Sequence, residues 1–151
     1  MSRSTIVAFA VSALALFGAA AAQQKPAGPL VEVFKSPTCG CCVNWVEHMR
    51  QAGFNMRTTE INDLSQIKKS RGVPADVQSC HTAIVNGYVV EGHVPAADVR
   101  RLLKEKPAIA GIAVGGMPIG SPGMETPYVK AEPFNVMSFD KNGATRVYAK
   151  H

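Results

Sequence analysis

Three of the chain's four cysteines fall within four consecutive positions, Cys39-Gly40-Cys41-Cys42. Cys39 and Cys42 have the C-x-x-C spacing of a redox pair. Cys41 between them is foreign to that chemistry, because a third thiol beside the pair would attack a mixed disulfide and scramble it. For soft metal ions the extra thiolate is an advantage, since each sulfur can bridge two ions. Thiolate donors select copper(I), zinc or iron–sulfur centres. A purely structural disulfide framework fits poorly. Bridges within this stretch close tiny loops and remove little unfolded-state entropy, and adjacent Cys41 and Cys42 would pair only with strained geometry.

The elements around the stretch place it at a strand-to-helix turn. Leu30 to Lys35 reads as a first strand, and Cys42, Trp45, Val46 and Met49 recur at helical spacing behind it. The free N–H groups and positive dipole of a helix start favour thiolate over thiol. The helix runs from about Cys41 to Ala52, stops at Gly53, and uses Trp45 to pack on the sheet. A second strand covers Asn55 to Ile61. Asn62 or Asp63 caps a short helix through Ser70, with Leu64 and Ile67 inward, and Gly72-Val73-Pro74 ends it.

Asn86-Gly87 between Thr82–Val85 and Tyr88–Glu91 is a hairpin signal. Pro95 opens a third helix with Val99, Leu102 and Leu103 on its inner face, and Pro107 ends it. A second hairpin joins Phe134–Phe139 to Ala144–Tyr148. The fold class is therefore α/β, a mixed sheet in the order β-α-β-α-β-β-α of a thioredoxin-like core with a C-terminal β-hairpin extension. Ala108 to Pro127, rich in glycine and proline, supports no helix or long strand. Its apolar residues predict that it packs across the domain.

The first residues predict export. Arg3, the apolar run Ile6 to Phe17 and the small residues Gly18 to Ala22 make a signal peptide over residues 1–22, with cleavage after Ala22. Gln23 to Pro29 reads as a disordered lead-in, and residues 30–151 as a single domain. The mature protein is then exported and free of the membrane. A net charge of +5 is modest, and the doublets Lys68-Lys69 and Arg100-Arg101 read as solvated helix faces. No nucleic-acid partner is implied.

Cys80, in Ser79-Cys80-His81-Thr82, enters the third strand. In this topology that segment arrives beside the cysteine turn, which makes Cys80 a fourth metal ligand and His81 a further candidate. Met117 and Met124 offer thioethers soft enough for copper(I). His48 lies about 10.5 Å along a helix from Cys41, too far to share an ion with it, and reads as exposed. His93 reads as a residue leading into the third helix.

Taken together, Cys39-Gly40-Cys41-Cys42 with Trp45, Gly72-Val73-Pro74, Ser79-Cys80-His81-Thr82, Gly87-Tyr88, Glu91-Gly92-His93-Val94-Pro95, Gly116-Met117-Pro118 and Gly120 through Glu125 resemble the CopG-type copper-resistance family. The resemblance covers nearly all of the mature chain. It implies a thioredoxin-like fold and a periplasmic copper-handling role, in which Cys39, Cys41, Cys42 and Cys80 bridge several copper(I) ions. It also implies an association with copper-efflux components and raises a copper(I)/copper(II) redox activity. Gly115 stands where the family commonly has proline, which loosens the loop without touching the thiols. Two alternatives stay open. One is a thiol–disulfide oxidoreductase with Cys39 attacking and Cys42 resolving; the other is a structural zinc site of three cysteines and His81.

Overall fold

The computed structural model describes residues 28–151. The expected signal peptide and residues 23–27 of the lead-in lie outside the described residues. The elements are β1 (Leu30–Lys35), α1 (Gly40–Gln51), β2 (Asn55–Glu60), α2 (Ser65–Ser70), a single 3-10 turn (Ala75–Val77), β3 (His81–Val85), β4 (Tyr88–Glu91), α3 (Ala96–Glu105), β5 (Gly111–Ala113), β6 (Asn135–Phe139) and β7 (Thr145–Lys150). They form one seven-stranded mixed sheet in the order β2-β1-β3-β4-β5-β6-β7. β1 runs parallel to β2 and antiparallel to β3. The β3–β4 hairpin turns at Asn86-Gly87, and β6–β7 is the second expected hairpin. No helix among the described residues is long and apolar enough to cross a membrane.

Alternation along the strands divides the core. On one face Val31, Val33, Ala83, Val85 and Val90 pack with Trp45, Val46 and Met49 of α1 and with Val99 and Leu102 of α3. On the other, Ile84, Val89 and Phe139 meet Val73 and Val77 around the 3-10 turn. α1 is thus pressed flat on the sheet, which fixes its N-terminal turn over the ends of β1 and β3.

Two expectations change, and one short element is added. The glycine-rich segment, expected to hold no helix or long strand, contributes a short strand: β5 pairs in parallel with β4 and antiparallel with β6. It is three residues long, too short for any periodicity to register. Lys68, read as solvated, is buried. Its Nζ forms an ion pair with Glu91 and donates to Thr82 Oγ1 at 3.1 Å. Thr82 in turn donates to Glu91 Oε2 at 2.7 Å. Because Thr82 and Glu91 are cross-strand neighbours, this cluster lies on the α2 face of the sheet.

His48, read as exposed, is half-buried and caps α3 from α1: the Ala96 N–H donates to its Nε2 at 3.1 Å. Burial first, then Arg100, hold the His48 imidazole below its ordinary value of 6.5, with Glu125 opposing. Below that pH the unfolded chain therefore binds more protons than the folded one, and stability falls as the medium is acidified. Replacing His48 by glutamine, which keeps an acceptor but cannot titrate, is expected to flatten the fall of Tm between about pH 6.5 and 5. It will not abolish the fall, since His81 and His93 are also held low by burial. Thermal melts across this range, wild type against variant, provide the check.

Candidate metal centre

The chain leaves β1 through a turn in which the Cys39 N–H donates to the Ser36 carbonyl at 3.2 Å, and α1 begins at the next residue. No side chain caps this helix and its first turn holds no acidic group, so its free N–H groups and dipole act on the cysteines alone. Cys39 and Cys42 are joined as a disulfide, with their Cα atoms 5.4 Å apart, whereas Cys41 and Cys80 are free. While the disulfide stands, Cys39 and Cys42 offer no thiolate; reduction returns both.

Cys80 arrives where the topology put it. Its Sγ is 3.4 Å from Cys42 Sγ, Cys41 Sγ is 3.6 Å from Cys39 Sγ, and all four sulfurs lie within 4.8 Å of one another. Behind them, on the α2 face, Glu91 Oε1 accepts the Ser79 N–H at 2.7 Å, so the buried Lys68–Glu91 pair anchors the peptide that carries Cys80. Burial, followed by the nearby Cys41, pushes the Cys80 thiol up to about 12. Without metal it keeps its proton, and a metal ion must displace it.

The two central histidines are buried. His81 Nδ1 is 3.4 Å from Cys80 Sγ, its ring lies 4.4 Å from that of Trp45, and its Nε2 has no hydrogen-bond partner. His93 is the residue that the sequence reading missed. Its Nε2 is 3.0 Å from Cys80 Sγ, while its Nδ1–H donates to the Pro122 carbonyl at 2.8 Å. The signal was present in the hairpin. A two-residue turn at Asn86-Gly87 pairs Thr82 with Glu91, so the residues just after Glu91 must come back beside those just before Thr82. Gly92, at φ +69°, makes that return possible, because a Cβ there would stand 2.5 Å from Ser79 Oγ.

The segment after β5 folds over this end of the sheet. Its Gly123, at φ +88°, lies so close to α1 that a Cβ would meet the Cys41 carbonyl at 2.8 Å. Met117 Sδ is 4.0 Å from Cys41 Sγ and half exposed, a thioether at the mouth of the cluster. Met124 is half-buried and, among the described residues, its sulfur meets no thiol. His81 groups with Cys80 and His93 and with none of Cys39, Cys41 and Cys42, which does not favour a closed zinc site of three cysteines and His81.

The donor chemistry, four sulfurs with two imidazoles and no carboxylate among them, fits a soft or borderline metal ion such as copper. Residues 77–124 match a family described as a protein of unknown function, DUF411. No curated protein sequence matches the chain. Two solved structures, described as copper resistance protein copG, Form 2 and Form 1, align with TM-scores of 0.78 and 0.77. Each is 38% identical, and the alignment covers 82% of this chain and 98% of the other. With that identity over that coverage, and a cysteine cluster suited to the metal those proteins resist, the chain belongs to the CopG copper-resistance family.

Proposed function

We propose that the protein is an exported, periplasmic copper-handling protein that holds several copper(I) ions in a cluster of thiolates from Cys39, Cys41, Cys42 and Cys80, and so contributes to copper resistance. The observation that carries this reading is the convergence of four sulfurs within 4.8 Å at one helix start and one strand start. The strand order β2-β1-β3-β4 with α1 and α3 on one face supports describing the core as thioredoxin-like. In this reading the C-x-x-C spacing is a property of the scaffold that has been turned to metal binding.

Here copper is cargo. Cys41 and Met117 stand at the exposed side and would meet an arriving ion first, whereas Cys42 and Cys80 hold it on the buried side. Each thiolate gives up a proton as it ligates, so uptake is coupled to proton release. Transfer to or from copper-efflux components, and cycling between copper(I) and copper(II), belong to the same proposal. An anaerobic copper(I) titration of the reduced mature chain, with elemental analysis, provides the test. Stoichiometric uptake that is lost when all four cysteines are serine is the expected result. No uptake with the thiols intact would overturn the reading.

The Cys39–Cys42 disulfide favours a second reading, a thiol–disulfide oxidoreductase. Reductase activity that persists in Cys41→Ser and Cys80→Ser variants, with no copper(I) uptake by the wild type, would establish it instead.

A further inference from the structure

Cys80 belongs to two donor sets. Besides the sulfur nest, the ligand atoms of Cys80, His81 and His93 lie within 4.8 Å of one another. The disulfide removes two of the four sulfurs from the nest but takes nothing from this second set. We propose that the disulfide form of the protein binds one copper(II) ion through Cys80, His81 and His93, so that the centre has a sulfur face for copper(I) and a nitrogen face for copper(II). The proposal rests on the reading that this cluster is where copper is held.

His93 is arranged as a ligand is. A neutral imidazole carries one N–H, and His93 spends it on the Pro122 carbonyl at 2.8 Å, which turns the bare Nε2 toward Cys80 Sγ. Fixing the far nitrogen on a carbonyl is how proteins orient histidine toward a metal. His81 makes the complementary point. Its Nε2 is buried without a partner, an expense of about 1–3 kcal/mol. A phenylalanine would pack against Trp45 without that loss, so packing does not account for an imidazole here. What the ring adds is Nδ1, the atom that faces Cys80 at 3.4 Å.

Two imidazoles and one thiolate form the donor set that suits copper(II) in a trigonal site, whereas thiolate-only clusters select copper(I). Binding is a simple exchange: the ion gains one Cys80 thiolate and two neutral imidazole nitrogens, and the Cys80 proton leaves to solvent. No electron moves in this step.

The test uses the untagged mature chain with its disulfide formed and with Cys41→Ser, which removes the other free thiol as a reductant. One equivalent of copper(II) sulfate is added, and electron paramagnetic resonance and visible absorption are recorded. The expected result is one copper(II) per chain, with nitrogen hyperfine coupling and a sulfur-to-copper charge-transfer band. His93→Gln and His81→Gln, their folds checked by circular dichroism, should each weaken binding about 100-fold or more. Bound copper(II) without nitrogen coupling in the parent chain overturns the proposal whatever the variants do. So does the absence of copper(II) binding while the reduced wild type still takes up copper(I), an outcome that leaves the proposed function standing. If the reduced chain takes up no copper(I), the proposed function fails and this inference fails with it.

Discussion

Replacing Lys68 by methionine is expected to lower folding stability by about 3–5 kcal/mol, the usual consequence of orphaning one member of a buried ion pair. For a domain of this size that corresponds to a fall in Tm of about 10–20 °C. The reason is Glu91, which is fully buried and has Lys68 as its cationic neighbour. Burial already raises the Glu91 carboxyl above its ordinary value of 4.5, and Lys68 is the first of the groups opposing the rise. Without Lys68 the shift grows, and the folded chain binds a proton that the unfolded chain releases. Stability of the variant should therefore decline as pH rises above about 4.5, more steeply than in the wild type. Adding Glu91→Leu should restore much of the loss, because no uncompensated charge then remains. Thermal melts of both variants at two pH values check all three statements. Equal losses in the single and double variants would mean that the orphaned Glu91 charge is not the source of the loss.

Cys80→Ser is expected to have the largest effect on metal binding, a loss of about 100-fold or more in copper(I) affinity. Serine is nearly isosteric, but its hydroxyl is hard and keeps its proton, so it replaces the sulfur in shape and not in chemistry. Cys80 is also the one thiol of the four brought from outside the helix start, and it belongs to both donor sets. The remaining thiols would sit together at one helix start with no other thiol facing them across the site. Cys41→Ser leaves that opposition intact and should cost less. Anaerobic competition against a copper(I) chelator gives the comparison, and unchanged melting of the metal-free chains would show that the losses belong to the site. A Cys80→Ser chain that binds as tightly as Cys41→Ser would remove Cys80 from its central place.

The strands other than β5, the helices and the meeting of Cys80 with the cysteine turn could be read from local patterns. Each rests on periodicity, on turn chemistry such as Asn86-Gly87, or on the order of the elements. What escaped depends on partners far along the chain. Lys68 looks like half of a surface doublet until Glu91, 23 residues later, is brought to it across the sheet. His48 looks exposed until the start of α3 lands on its ring. His93 was within reach of hairpin register, yet its ligand-like orientation comes from the Pro122 carbonyl, 29 residues on, in the segment that the sequence leaves without regular structure.

β5 has a consequence for how copies of the molecule behave toward each other. A sheet ending on β4 would leave a buried, valine-rich strand as an open ladder. β5, β6 and β7 close it and move the free rim outward to a strand that carries Arg146 and Lys150, next to an irregularity at Val136/Met137. The opposite rim, β2, carries Arg57 and Glu60. Charged, irregular rims discourage strand addition between chains.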